Sequence, residues 1–345
     1  MEVLDNKCPS CGAKINFNPV NQMWDCTFCG SKYSLEDMQR YENASNLKNN
    51  TVNSNSFSGM TNYHCKNCGA EIIADDTVTA TFCVYCGSTA ILKEKIDSGR
   101  APDLIIPFKK TKEAASLAFT NFTKGKPLMP KKFKDLKNIE KISGVYIPFW
   151  AYDITCDGNI KFDCCDISTW SDSEYRYEKR SNYETTIAGH YEYNKVLTDG
   201  SSRFRDDLMD SIEPFNFKEL KEYNHAYLSG FLAEKYDIDE EKSFARAGKR
   251  SMNTCIQLAD RETHHDNSSV SKNDINLVKK NSSYIMLPVW MVNIKYKDKI
   301  YTFAMNGQTG KMVGNIPIGV KETIIMGLLI FSITFIIGVL ISLVL

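Results

Sequence analysis

A four-cysteine frame occurs twice in this chain, and nothing else in it restricts the local fold as strongly. The first frame is Cys8-Pro9-Ser10-Cys11 with Cys26-Thr27-Phe28-Cys29, and the second is Cys65-Lys66-Asn67-Cys68 with Cys83-Val84-Tyr85-Cys86. Fourteen residues separate the inner cysteines in both, and a glycine (Gly12, Gly30, Gly69 or Gly87) follows every pair. A Cys-x-x-Cys turn brings two sulfurs to one ion, and two such turns complete a tetrahedral shell of four sulfurs. Modules this small are folded by their metal. The expectation is two sites, one at Cys8, Cys11, Cys26 and Cys29, the other at Cys65, Cys68, Cys83 and Cys86. The fragments CGAKINF and CGAEIIA, and CGSKYSL and CGSTAIL, match at an offset of 57 residues. That offset reads as an internal duplication of a small three-stranded β ribbon.

Eight of the twelve cysteines fall in these pairs. No apolar signal region precedes Cys8, so the thiols are expected in a reducing compartment, where such spacing means metal and not disulfides. Two structural Zn2+ ions are expected, with iron as the alternative for the same sulfur set. All four sulfurs of each frame are used, which leaves no open position for metal catalysis. Cys156, Cys164, Cys165 and Cys255 lack ligand spacing and read as small core groups or free thiols. Candidate contact residues on the ribbons are Asn21, Gln22, Trp24, Phe28, Asp75, Thr77, Thr79, Phe82 and Tyr85. Trp24 and Phe82, just before the trailing pairs, read first as local core.

The other end of the chain is apolar. Ile324–Leu345 contains no charge and spans about 33 Å as a helix, against a hydrocarbon core of about 30 Å. It reads as a transmembrane helix. Lys311 and Lys321 precede it, which places the preceding region on the cytoplasmic side. Formal net charge is zero, so no overall field draws the chain to nucleic acid. Residues 1–100 hold nine Lys and Arg against eleven Asp and Glu, while residues 101–141 hold ten lysines. Only that second stretch offers a basic patch.

The expected organisation is a zinc ribbon over 1–36, a flexible Asn/Ser-rich linker over 37–62 and a second ribbon over 63–96. An α+β domain with a mixed or antiparallel sheet follows over 97–318, then the span over 323–345. Within the α+β domain, the pattern predicts helices over Thr111–Phe122, Phe217–Tyr236 and Phe244–Ala259. It predicts strands around Leu104–Phe108, Val145–Ile154, Ile187–Val196, Tyr284–Ile294 and Ile300–Met305. Asp157-Gly158 reads as a hairpin turn returning through Ile160–Cys164, and His264–Asn273 as a polar loop. Pro148-x-Trp150-x-x-Asp153-Ile154 recurs as Pro288-x-Trp290-x-x-Asn293-Ile294. The echo signals two equivalent strands or a duplicated half-domain.

Catalytic patterns are thin. Asp199, Arg203, Asp206, Asp207, Asp210 and Glu213 form a charged run that reads as a solvated turn and helix start, with an enzyme site over 150–305 as an alternative. The five histidines have no metalloprotease spacing, and no phosphate-binding or nucleophile-elbow motif occurs.

The segments CPSCG with CTFCG, YIPFWAYDI, KVLTDGSSRFRDDLMDSIEPF, AYLSGFLAEKYD and LPVWMVNIKYKDKIYTFAMNGQTGKMVGNIP resemble a family of bacterial membrane proteins described as TFIIB-type zinc ribbon-containing. Some members carry helicase or primosomal-protein-like labels. The resemblance spans nearly the whole chain. It implies zinc binding and membrane association and no particular activity. A helicase would need Walker motifs that are not readable here. The expected function is a non-enzymatic adaptor at the cytoplasmic face, binding a protein partner through its ribbons and lipid through its tail. Nucleic-acid binding is the alternative.

Overall fold

The structure is a computed structural model. It describes residues 7–13, 15–41, 60–65, 71–75, 91–95, 100–130, 133, 142–296 and 299–344. The linker expected over 37–62 falls largely outside the described residues, as do Cys68, Cys83, Cys86, Thr77, Thr79, Phe82 and Tyr85. The chain forms two compact units: Met1–Pro148 with Ser201–Lys235 and Met286–Leu345, and Phe149–Gly200 with Tyr236–Ile285.

The first unit begins with a three-stranded antiparallel sheet of β1 (Ile15–Asn18), β2 (Met23–Cys26) and β3 (Lys32–Tyr33). Alternation buries Ile15, Phe17, Trp24 and Cys26. A short helix, α1 (35–41), follows. Ser34 Oγ accepts from the Asp37 amide and the Asp37 carboxylate accepts from the Ser34 amide, a reciprocal cap. Then come β4 (Met60–Cys65), β5 (Glu71–Asp75), β6 (Ile91–Lys95), β7 (Leu104–Ile105) and α2 (Lys112–Thr123). Thr111 caps α2 by accepting from the Ala114 amide, as the pattern of small and apolar residues predicts.

Two long strands follow, β8 (Ile142–Ser171) and β9 (Arg176–Asp199). The chain continues through α3 (Asp206–Ser211), β10 (Lys221–Glu222), β11 (Leu232–Glu234), α4 (Glu240–Glu262), β12 (Asn267–Asn273), β13 (Asn276–Tyr296), β14 (Lys299–Asn306), β15 (Met312–Gly314) and α5 (Val320–Val344). In the first unit the strand order is β10-β7-β13-β8-β11-β5-β4-β6, with β14 on β13 and β15 on β14. The sheet is mixed: β11 runs parallel to β8, with Leu232 opposite Val145, and antiparallel to β5. Strands 60–95 therefore share one sheet with β11.

In the second unit β9 and β12 flank β8, both antiparallel. Helix α4 starts at Asp239, whose carboxylate accepts from the Lys242 amide, and buries Ala247, Ser251, Cys255 and Ala259 at every fourth position. Ile160, Phe162, Cys164 and Ala259 form one core cluster with Ile187, Ile256 and Ile275. Cys164 is buried and Cys165 is not, the divergence expected of neighbours on a strand.

Three expectations fail for identifiable reasons. First, β8 runs straight through Asp157-Gly158. Gly158 serves a close approach: a Cβ there would lie 2.3 Å from the Asp274 carbonyl oxygen, and Asp274 donates its amide to Asn159 O at 2.9 Å. Second, 217–236 is no helix. Asn216 and Asn224 accept from the amides of Lys218 and Ala226 and fix two 3-10 turns, Phe217–Glu219 and His225–Leu228, around short strands. These local side-chain acceptors compete with helix, and Tyr227 and Phe231 find burial on irregular backbone. Third, 267–273 is a strand and not a loop, because the edge of β8 offers it a ladder from Ile160 to Cys165.

The Trp150 and Trp290 segments occupy matching settings, one in each unit. Trp290 Nε1 donates to Lys110 O at 2.9 Å, just before the Thr111 cap of α2, and Gly307 O accepts from the amides of Lys109 and Lys110. Trp150 Nε1 donates to Ile238 O at 2.9 Å, just before the Asp239 cap of α4, and Gly200 O accepts from the amides of Asp237 and Ile238. An aromatic ring meets each indole edge-on: Phe108 at 5.1 Å and Tyr236 at 5.5 Å.

A methyl at Gly158 has no room, and its φ of 148° disfavours any side chain. Gly158→Ala should therefore destabilise the protein by about 1–3 kcal/mol, read as a lowered melting temperature by circular dichroism. Gly125→Ala, with open space around it, is the control for backbone strain alone.

Candidate metal centre

The turns before β1 and after β2 are built alike. The Cys8 amide donates to Ala13 O at 2.7 Å and the Gly12 amide to Cys8 O at 2.8 Å. In the second turn the Cys26 amide donates to Ser31 O at 2.9 Å and the Gly30 amide to Cys26 O at 3.0 Å. Gly12 and Gly30 have φ of 71° and 74°, a left-handed conformation that glycine adopts without a Cβ clash. The β1–β2 register, Ile15 opposite Cys26 to Asn18 opposite Met23, brings the two turns together.

The sulfurs of Cys8, Cys11, Cys26 and Cys29 all lie within 4.8 Å of one another. Cys8 and Cys29 are 3.5 Å apart, Cys11 and Cys26 3.6 Å. A zinc ion about 2.3 Å from each sulfur sets the edges of its tetrahedron at about 3.8 Å, so the cluster has the dimensions of a metal site. Cys8 and Cys26 face inward while Cys11 and Cys29 are exposed. Zinc, when bound, supplies a redox-inert tetrahedral centre that ties both turns together.

The titration of the thiols points the same way. Burial pushes the Cys8 thiol up, but hydrogen bonds from Tyr33 Oη, the Cys11 and Ser10 amides and Cys29 outweigh it and hold it at about 6. For Cys11 the Ala13 amide favours the thiolate, yet burial and the sulfurs of Cys29, Cys8 and Cys26 push it up to about 12. The Ser31 hydroxyl and amide, with the neighbouring sulfurs, hold Cys29 below the usual thiol range. Four sulfurs this close cannot all ionise without a cation.

Tyr33 and Ser31 are functional neighbours that spacing alone does not reveal. Tyr33 Oη lies 3.4 Å from Cys8 Sγ and accepts from the Ser10 amide at 3.2 Å; Cys29 Sγ lies 3.2 Å from Ser31 Oγ. The signal for both was in the fragment CGSKYSL, which places them two and four residues after Cys29.

The opposite side of this module is docked within the first unit. Trp24 is fully buried and its Nε1 donates to Ala226 O at 2.8 Å. Its ring packs against Phe17 at 5.0 Å and Tyr227 at 5.2 Å. The Phe17 amide donates to Ser229 O, and Gln22 Nε2 donates to Phe108 O at 2.8 Å. Trp24 and Gln22 are thus docking residues, while Phe28 is 82% exposed between the ligand cysteines. Cys65 ends β4 and is buried; the other three members of its frame lie outside the described residues.

The remaining sequence candidates are scattered among different partners. Asp199 pairs with Arg246 at 2.5 Å, Arg203 with Glu234 at 3.3 Å, and Asp207 with Arg205 at 2.5 Å. Of the lysine-rich stretch, Lys109 pairs with Glu219 at 2.6 Å and Lys126 sits over the Phe122 ring. Residues 134–141 lie outside the described residues.

At the far end, α5 contains a 22-residue stretch, Val320–Ile341, of mean hydropathy 2.9 that is 0% buried. No described residue covers it, and it attaches the chain to a membrane as a single apolar helix long enough to span.

The chain is 33% identical over 318 residues to the uncharacterized protein YdjG of Bacillus subtilis (strain 168), covering 92% of this chain and 91% of that one. This chain belongs to the YdjG family. No family model matches it, and no solved structure matches it either. The relation to YdjG is near full length: it extends well beyond the segment that holds the cysteine cluster.

Protons compete with metal for thiolates. Tyr33→Phe removes a hydrogen bond that favours the Cys8 thiolate, so its thiol pKa rises and metal should be released at a higher pH than from the wild type. A chromophoric chelator followed through an acid titration reads this shift. Cys26→Ser should lower bound metal by about one ion per chain, read by elemental analysis.

Proposed function

We propose that this protein is a membrane-anchored adaptor whose metal-held N-terminal module presents a binding surface to a protein partner on the cytoplasmic side. The observation that carries this reading is the pairing of an uncovered spanning helix with a closed four-sulfur cluster. The anchor fixes the chain at the bilayer. The cluster, with all its ligand positions taken, serves shape and not chemistry. Zinc fits the sulfur set and the absence of redox demand in a structural role. The second frame, Cys65, Cys68, Cys83 and Cys86, holds a second ion of the same kind in this reading, which makes a tandem of zinc ribbons.

The presented surface is the knuckle around Phe28. Docking through Trp24 consumes the other face of the module, so partner contact falls to the ligand turns. Lys311 and Lys321 on the N-terminal side of α5 favour a cytoplasmic location for the module. The matched settings of Trp150 and Trp290 support a body made of a duplicated β-α-β-β element, β7-α2-β8-β9 and β11-α4-β13-β14, with β12 inserted after α4 in the second. In this reading the body is a rigid mount and no step of catalysis is assigned to it.

The test uses the full chain in its native membrane. A photo-crosslinking residue at Phe28 should give a discrete adduct that Cys26→Ser abolishes, while both chains resist carbonate extraction. Crosslinking that persists unchanged in Cys26→Ser, or turnover of a substrate lost on changing Asp199 or Arg203, would refute the adaptor reading. Removal of residues 320–345 should release the protein from membranes.

A further inference from the structure

The chain has four tryptophans. Trp24, Trp150 and Trp290 are buried, but Trp170 is 52% exposed. It stands near the end of β8, where β8 and β9 have left their other partners. β12 covers β8 only from Ile160 to Cys165, whereas the β8–β9 ladder continues from Asp166 opposite Ser181 to Ser171 opposite Arg176. Asp166 and Ile167 still bond to His265 and Asp266, and beyond them the last four rungs are a bare two-stranded ribbon among the described residues. Such a ribbon is marginal in water on its own.

Its turn is nevertheless well built. The Asp172 carboxylate accepts from the amides of Glu174 and Tyr175 and from the Tyr177 hydroxyl, at 2.7–2.9 Å. Trp170 lies directly opposite Tyr177 in the ladder, and their rings stack at 5.6 Å and 14°. Tyr175 adjoins Tyr177 at 6.4 Å. Side chains alternate along a strand, so Tyr177, Lys179 and Tyr183 share one face of β9, while Arg176, Glu178 and Arg180 share the other. The first face gathers Trp170, Tyr175, Tyr177 and Tyr183, exposed by 52, 63, 40 and 48%. Its charged groups are Lys179, Asp172, whose carboxylate the Tyr177 hydroxyl and two amides hold, and, farther along the same face, Asp166, tied to His265 at 3.0 Å. On the second face Glu178 pairs with Arg180 at 2.6 Å. The ribbon is amphipathic, with aromatics and a lysine on one side and ion pairs on the other.

We propose that the aromatic face is a second membrane contact, an arm that lies in the anionic headgroup layer of the bilayer spanned by α5. Tyrosine and tryptophan combine an apolar ring with a polar tip and concentrate at the membrane–water boundary. Lys179 among them complements anionic headgroups, while the carboxylates on that face, Asp166 and Asp172, are each held by donors within the protein. The spanning helix holds the chain at a bilayer, so an arm that meets lipid does so at raised effective concentration. The proposal rests on the anchor reading only in requiring that bilayer.

The full chain is reconstituted into vesicles of phosphatidylcholine and phosphatidylglycerol, some carrying acyl chains brominated near the carbonyl. Because the other three tryptophans are buried and α5 contains none, brominated lipid reports on Trp170. Quenching of the wild type is expected, with most of it lost in Trp170→Phe. Lys179→Glu should reduce quenching on anionic vesicles and leave it unchanged on purely zwitterionic ones. Flotation on a density gradient scores α5 separately. A chain that floats but is not quenched, or is quenched equally with Trp170→Phe, overturns the arm and leaves the anchor intact. A chain that fails to float overturns both. Concentration-dependent self-association in detergent that Trp170→Phe abolishes would assign the face to a second copy and also overturn the proposal.

Discussion

Three indole N–H groups tie distant stretches of the chain to one another within its two units. A buried tryptophan needs an acceptor for its one donor, and in each case it is a main-chain carbonyl far away in sequence. Trp24 reaches Ala226, Trp150 reaches Ile238 and Trp290 reaches Lys110. The first seats the cysteine module on the 226–231 segment; the other two fix the chain where α4 and α2 begin. Leaving such a buried acceptor unsatisfied costs about 1–3 kcal/mol, and the surrounding rings of Phe17, Tyr227, Phe108 and Tyr236 lose their packing as well. The cysteine cluster is therefore not an isolated bead. Its geometry is set by cysteines, but its place in the first unit is set by Trp24.

That division of labour explains why the module has one free side. The face with Trp24 and Phe17 is consumed by the protein itself, whereas the side with Phe28, Cys11 and Cys29 meets solvent. The hydroxyls of Tyr33 and Ser31 lie on the sulfurs and tune them, so the same short strand and turn that close the module also adjust its ligands.

What could be read from the residues was whatever local chemistry decides. The four thiols come together because two Cys-x-x-Cys-Gly turns and a short hairpin admit few other arrangements. Helices α2 and α4 follow from caps at Thr111 and Asp239 and from apolar spacing. The uncovered tail follows from composition alone. What escaped was decided by distant partners. Gly158 reads as a turn residue until Asp274 is seen against it. The aromatic spacing of 217–231 reads as a helix until Asn216 and Asn224 are seen capping shorter turns, with Tyr227 placed under Trp24. Strand β12 is polar enough to read as loop, and only the open edge of β8 makes it a strand. Tyr33 as a ligand neighbour has the same origin, since its hydroxyl meets Cys8 across 25 positions of chain.

The clasp on α2 has a bearing on how the chain is made. Helix α2 leaves the ribosome well before Trp290 and Gly307, which grip the backbone just before it. The first unit cannot close until they emerge, and Val320, where α5 begins, follows almost at once. The backbone just ahead of α2 thus waits for its indole donor while the chain from Lys110 to Trp290, 180 positions on, is made.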